Sequence, residues 1–158
     1  MDWNSITAIA TSLTVAVGFG APTMIWLYTK PKVKLLEATP IGWFYLYKNG
    51  TEVIGTRITI DAKLLNDGAE SSHLLSALFE SGGMLFRSNE SLFLKGRGMI
   101  TDSYIMLDLP INSGKPERGK VLHGTLKLKP WGNKRLCCGQ KYLTKDLEVK
   151  DNEGARVR

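Results

Sequence analysis

Charged and apolar positions divide the chain into two unequal parts. The stretch 3–29 carries no charged side chain, whereas charged residues recur throughout 30–158. As a helix, these 27 residues would be about 40 Å long, which exceeds the hydrocarbon core of a bilayer, about 30 Å thick. The pattern predicts a transmembrane helix over 3–29, a domain over 30–150 and a charged tail over 151–158.

The flanks of this segment favour a retained anchor over a removed signal peptide. Trp3 at one end and Trp26 with Tyr28 at the other suit the two aromatic belts of a membrane. Signal peptides begin with basic residues and end at a small-residue cleavage site. This chain begins with Met-Asp-Trp-Asn, and Lys30-Pro31-Lys32 follows the apolar run directly. A cleaved signal peptide is the main alternative.

Basic residues lie on only one side of the predicted anchor. Lys30, Lys32 and Lys34 follow it, and Asp2 is the only charge before it. Because Lys and Arg stay on the cytoplasmic side, we expect the N-terminus outside and the C-terminal domain in the cytoplasm. These lysines need no partner beyond anionic lipid.

Small residues recur every fourth position within the predicted anchor, at Ala8, Ser12, Ala16 and Gly20. A stripe of small residues lets two transmembrane helices approach closely, so the anchor is a candidate surface for self-association. The alternative is that small residues are simply common in this segment.

Beyond Lys30 the apolar residues alternate with polar ones, as in half-buried strands. The clearest run has Ile58, Ile60, Ala62 and Leu64 on its predicted inner face. Further strands are expected at 33–38, 43–47, 73–80, 84–87, 92–94, 104–109, 122–129 and 143–149.

Breaker residues set the predicted limits of these strands. Thr39-Pro40 is expected to end the first one, and Asn49-Gly50 predicts a tight hairpin because both positions accept positive φ. The run 73–80 also fits a helix. A strand is preferred there, with Leu75, Ala77 and Phe79 inward, because the run follows a turn within a series of strands.

About seven to nine short strands with regular turn signals predict a mainly β, antiparallel sandwich, with an immunoglobulin-like topology as the default. The layout resembles small prokaryotic single-pass membrane proteins that carry an immunoglobulin-like β-sandwich, most of unknown function. The resemblance rests on the segment WLYTKPKV at 26–33, on ITI at 58–60 and on LNDG at 65–68. It implies one membrane pass and a sandwich, but no site residue.

Charge and cysteine content narrow the function classes. Residues 30–158 contain all 21 Lys and Arg and 14 of the 15 Asp and Glu, a net charge of +7. This favours anionic neighbours, but the bases are too dispersed for us to expect a nucleic-acid partner. The two cysteines, Cys137 and Cys138, are adjacent, and neighbouring residues are poorly spaced for a disulfide. The pair therefore fits a reducing compartment.

The sequence offers little evidence for a catalytic or metal-binding site. His123 with Cys137 and Cys138 supplies three potential ligands but not the spacing of a zinc site, and no third group would orient a Cys–His pair. The segment 66–70 fits a turn better than a calcium loop. We therefore expect no metal, no cofactor and no catalytic residue.

A second basic group surrounds an aromatic residue near the C-terminus. It comprises Lys127, Lys129, Lys134 and Arg135 around Trp131. It is either a solvated sheet edge or a contact patch for an acidic partner or for lipid headgroups. The expected function is a non-enzymatic binding or scaffold module. Its expected partners are the bilayer, a second copy through the anchor, and an unidentified protein. The alternative is an envelope or adhesion component outside the membrane.

The small-residue stripe generates the first testable prediction. Ala16→Leu should abolish self-association in a membrane reporter assay, because the larger side chain keeps two helix backbones apart. Ala10→Leu, off the stripe, is the matched control and should leave the signal unchanged. An unchanged signal in Ala16→Leu would rule out the stripe as the contact.

Overall fold

The computed structural model describes residues 18, 20, 22–26, 29–88, 90–132, 134–135 and 139–152. Residues 22–26 are helical, and the amide of Lys30 donates to the carbonyl oxygen of Trp26 at 2.9 Å. The predicted anchor falls mainly outside this part of the chain, and so do three of the four stripe positions, Ala8, Ser12 and Ala16. Within the described ranges, no helix is long and apolar enough to cross a membrane.

β-Structure predominates in the described chain beyond Pro31, which confirms the prediction of a mainly β, antiparallel domain. The strands are β1 Val33–Lys48, β2 Glu52–Asn66, β3 Ser72–Ser81, β4 Met84–Arg87, β5 Leu92–Leu94, β6 Met99–Pro110, β7 Leu122–Pro130, β8 Lys134–Arg135, β9 Gly139–Gln140 and β10 Leu143–Val149. A 3₁₀ turn, Ile111–Ser113, follows β6.

Eight of the described strands form one antiparallel sheet in the order β1-β2-β6-β4-β3-β7-β10, with β5 beside β3. β8 and β9 pair separately. One residue pair, Arg87 with Asp108, joins β4 to β6. An immunoglobulin-like sandwich is not confirmed, because the strands follow a single path that curls into a nearly closed, barrel-like sheet.

The ends of the sheet meet where the chain after β10 crosses β1. The amide of Trp43 donates to the carbonyl of Lys150, and the amide of Asn152 donates to the carbonyl of Trp43, both at 2.9 Å. Gly42 makes the crossing possible, since a Cβ there would lie 2.6 Å from the Cβ of Asn152. The predicted tail therefore begins with residues that close the sheet.

The strand expected to end at Thr39-Pro40 continues to Lys48, so that prediction was wrong. Pairing of β1 with β2 shifts register between Leu35 and Glu37, between Pro40 and Gly42, and between Leu46 and Tyr47. β1 also lies at the end of the strand order, where a proline without an amide hydrogen is tolerated. The breaker residues therefore produce bulges within one long strand instead of a turn between two short ones.

Alternation correctly predicted most of the core. Ile58, Ile60, Ala62 and Leu64 are fully buried. The expected inner residue Leu75 is instead 49% exposed, and its neighbour Leu74 is buried. The register of β3 against β7 shifts between Leu74 and Ser76, and this bulge reverses the side-chain direction on one side of it.

The Asn49-Gly50 turn is confirmed. Both residues have positive φ, 51° and 77°, and the amide of Thr51 donates to the carbonyl of Lys48 at 3.3 Å. Two positive values match the right-handed twist of paired strands, so β1 and β2 form a hairpin directly.

The core generates a stability prediction. Leu107→Ala should lower the free energy of unfolding by about 2–5 kcal/mol, because Leu107 is fully buried and its loss leaves a cavity. Tyr104→Ala on the same strand is the control, since Tyr104 is 61% exposed, and should change stability by about 0.5 kcal/mol or less. Urea unfolding of the detergent-solubilised chain measures both. Equal losses of unfolding free energy in the two variants would contradict the burial of Leu107 on β6.

Candidate functional site

The described residues that follow the predicted anchor join the sheet at one end, named here the proximal end. Three connections gather there: the turn 67–71 between β2 and β3, the loop 95–98 between β5 and β6, and residues 131–132 after β7. The opposite, distal end carries the β1–β2 hairpin and the loop 111–121. The proximal end is the candidate functional site, because it brings together residues from both basic groups predicted from the sequence.

A buried amide organises the proximal end. Asn66 is 1% exposed. Its Oδ1 accepts the amides of Lys32 at 3.1 Å and Gly68 at 3.2 Å, and its Nδ2 donates to the carbonyls of Glu70 at 2.8 Å and Leu94 at 3.4 Å. An asparagine side chain has two donors and two acceptor positions, so all four are used. One side chain thus fixes the incoming chain, the β2–β3 turn and β5.

Backbone bonds strengthen the same junction. The amide of Glu70 donates to the carbonyl of Thr29 at 2.9 Å, and that of Asp67 to the carbonyl of Lys32 at 3.1 Å. The amide of Arg97 donates to the carbonyl of Gly68 at 2.6 Å. Residues 29–32 are therefore held against the domain and do not act as a free linker.

Two glycines allow these segments to approach closely. A Cβ at Gly68 would collide with the carbonyl oxygen of Lys30 and lie 2.8 Å from the amide nitrogen of Lys32. A Cβ at Gly96 would lie 2.5 Å from the carbonyl oxygen of Ala69. The glycine of the Asn66-Asp67-Gly68 turn is thus required by backbone packing.

The three predicted membrane-flank lysines have different surroundings at the proximal end. Lys30 is half-buried, with its Nζ 4.9 Å from the ring centroid of Trp26. Lys32 is half-buried and its amide binds Asn66. Lys34 is exposed and its Nζ lies 3.2 Å from Asp67 Oδ2.

The predicted patch around Trp131 is divided in the structure. Lys127 Nζ donates to Glu80 Oε2 at 2.8 Å across β7 and β3, and this hydrogen bond lowers the pKa of the Glu80 carboxyl. Lys129 Nζ lies 5.9 Å from the ring centroid of Tyr142. The other two members, Lys134 and Arg135, form β8, and their side chains lie outside the described part of the structure.

Trp131 belongs to the proximal end instead. Its amide donates to the carbonyl of His73 at 2.7 Å, and its carbonyl accepts the hydroxyl of Ser72 at 2.6 Å. With Trp26 and Lys30 it lines a small cavity of about 150 Å³. The structure therefore places one residue of the patch beside one of the flank lysines.

Sequence reasoning missed an exposed apolar group at this end. Phe93 is 48% exposed, Met99 50% and Trp131 53%. The exposed bases Lys95 and Arg97 lie between Phe93 and Met99 in the chain. The sequence feature that could have revealed part of this group is the pattern Phe-Leu-Lys-Gly-Arg-Gly-Met at 93–99, in which apolar residues flank a basic loop.

Contacts within the sheet account for the surroundings of the two histidines and of the Arg57–Asp108 ion pair. The ring of His73 packs on that of Phe93, with centroids 5.0 Å apart, and His123 Nδ1 lies 3.4 Å from Glu148 Oε1 on an exposed face. Arg57 donates twice to Asp108, at 2.7 and 2.8 Å, which raises the pKa of the guanidinium. Among the described residues no cluster of three His, Cys, Asp or Glu is arranged to hold a metal ion. Cys137 and Cys138 lie outside those residues.

No protein-family model matches this chain, and neither does any curated protein.

The Asn66 network generates a third prediction. Asn66→Asp should destabilise the chain by at least about 2 kcal/mol at neutral pH, because a buried carboxylate would face the carbonyl oxygens of Glu70 and Leu94. Burial and these carbonyls raise the folded-state pKa of the new carboxyl above its unfolded value, about 3.9. The deficit should therefore be smallest below that pH and grow as the pH rises.

Asn112→Asp is the control for this substitution, since Asn112 is exposed. It should change stability by about 0.5 kcal/mol or less. Urea unfolding between about pH 3.5 and 7 measures both variants. A pH-independent deficit in Asn66→Asp would show that the new group is not a buried carboxylate.

Proposed function

We propose that this chain is a single-pass, membrane-anchored β-domain that serves as a non-enzymatic binding or scaffold module at the cytoplasmic face. The uncharged segment 3–29 would form the anchor, and Lys30, Lys32 and Lys34 would flank it on the cytoplasmic side. The proposed partners are the bilayer, a second copy through the anchor, and a protein still to be identified.

The junction at Asn66 is the observation that carries this proposal. Hydrogen bonds of Thr29 and Lys32 join the incoming chain to Asn66 at the end of β2 and to the turn 67–71. A domain on a flexible linker would sample many orientations relative to its anchor. Here Thr29, the last residue of the uncharged segment, is already bonded to the turn between β2 and β3. Such a junction suits a module that presents one fixed surface away from the bilayer.

The distal end supports a presenting role. The hydroxyl of Tyr45 donates to the carbonyl of Pro116 at 2.5 Å, and Nε1 of Trp43 donates to the carbonyl of Lys120 at 2.8 Å. Lys115 Nζ lies 4.7 Å from the ring centroid of Tyr45. The loop 111–121 is thus anchored on buried aromatic residues. An ordered loop opposite the proposed anchor is a suitable surface for a protein partner.

We also propose that the domain is a variant of the immunoglobulin-like sandwich. Its two layers would be β1-β2-β6 and β4-β3-β7-β10. The support is the single residue pair between β4 and β6, where the path through the sheet passes from one group to the other.

A topology reporter tests the proposed location. A reporter active only in the cytoplasm, fused after Arg158, should be active, and one active only outside should be silent. Replacing Lys30, Lys32 and Lys34 with Gln should move part of the population to the opposite orientation, because the positive flank is lost. Replacing Lys48, Lys120 and Lys150 with Gln is the control with the same change of charge.

The reverse reporter pattern would instead support an envelope or adhesion component outside the membrane. A chain recovered in the soluble fraction after cell lysis would contradict the anchor itself.

A further inference from the structure

Three large apolar side chains form one exposed surface at the proximal end, named here the proximal apolar surface: Phe93, Met99 and Trp131. Each is about half exposed. Phe93 lies on the outward face of β5, between the half-buried Leu92 and the buried Leu94, Met99 is the first residue of β6, and Trp131 follows the end of β7. Core alternation therefore does not require apolar residues at these positions, so burial inside the domain does not explain them.

Contacts of His73, at the start of β3, link the two parts of this surface. The amide of Trp131 bonds to the carbonyl of His73 at 2.7 Å, and the ring of His73 lies 5.0 Å from that of Phe93. Phe93 and Met99 line one wide groove of about 540 Å³. On the other side, Trp131 lines a cavity with Trp26 and Lys30. The apolar residues thus extend from the incoming chain to the loop before β6.

Positive charge surrounds this surface. Lys95 and Arg97 are exposed on the same groove as Phe93 and Met99, and Lys30 borders Trp131. Of the nearby acids, Asp67 is paired with Lys34, while Glu70 lies beside Lys30. The balance is therefore cationic. Aromatic and apolar side chains among bases are the composition that binds the interface of an anionic bilayer.

We propose that the proximal apolar surface docks into the headgroup layer of an anionic bilayer, so that the domain lies on the membrane that anchors it. The inference rests on the proposed anchor. The position of the junction selects a bilayer over a protein as the occupant. The uncharged segment ends at Thr29, and the carbonyl of Thr29 is bonded to the turn that adjoins the groove. A bilayer at the end of that segment faces the proximal end directly.

Docking would place the rings of Trp131 and Phe93 at the level of the headgroups, with Lys95 and Arg97 among the phosphates. Trp131 is the natural reporter, because indole prefers this region and is fluorescent. Trp43 is fully buried and would not be quenched from the lipid phase. Replacing Trp3 and Trp26 with Phe leaves Trp131 as the residue that responds.

The test uses this full-length Trp3→Phe, Trp26→Phe chain in nanodiscs whose phosphatidylcholine is brominated near the headgroup, with and without one-third phosphatidylglycerol. We expect Trp131 emission to be quenched in the anionic discs and largely restored in neutral ones. Replacing Lys95 and Arg97 with Gln should weaken docking about five-fold for each base removed. Replacing Lys48 and Lys150 with Gln, at the distal end, should leave the quenching unchanged.

Two separate readouts distinguish failure of the docking from failure of the anchor. Co-purification of the chain with the discs reports the anchor alone. Co-purification without quenching of Trp131 would overturn the docking and leave the proposed anchor intact, and the surface would then be assigned to a protein partner. Equal quenching in neutral discs would overturn the role of the basic residues. A chain that does not co-purify would overturn both proposals.

Discussion

The domain depends on one buried side chain that satisfies four backbone groups from three segments: the incoming chain, the β2–β3 turn and β5. Asn66 accepts from Lys32 and Gly68 and donates to Glu70 and Leu94. An unpaired buried amide costs far more than a typical hydrogen bond contributes, so a network of this kind is stabilising only when complete. Each segment therefore requires the others to be in place. The junction with the N-terminal part is consequently an integral part of the fold.

In contrast to the Asn66 network, the closure of the sheet and the join between β4 and β6 each depend on few backbone contacts. Two backbone bonds link Trp43 to Lys150 and Asn152, and a single pair links β4 to β6 through Arg87 and Asp108. Trp43 supports the first closure, since its side chain is fully buried and its Nε1 donates to the carbonyl of Lys120. The double hydrogen bond from Arg57 fixes Asp108 beside the second. A specific side chain thus supports the closure at Trp43, and another supports the join between β4 and β6.

Residue alternation predicted the fold class and most core positions because burial on one face is a local property of a strand. The inner face of β2 followed directly from it. Pro40 and Leu75 were misjudged because both adjoin bulges, and a bulge depends on the partner strand. Asn66 was recognised only as a turn residue, since its bonds to Lys32 and Leu94 span 34 and 28 residues. The proximal apolar surface escaped detection because Trp131 approaches Phe93 only after β3 pairs with β5 and β7.

The junction and the exposed surface have a joint physical consequence. Docking a domain on a flexible tether would require its orientation to be fixed at the expense of entropy. Here Thr29 and Lys32 are bonded to the turn that adjoins the apolar groove. Much of that orientation is therefore set when the domain folds. If the proposed anchor holds the chain at the bilayer, a surface of three large apolar residues would then suffice for the proposed docking. The same arrangement places the loop 111–121 at the end of the sheet opposite the junction.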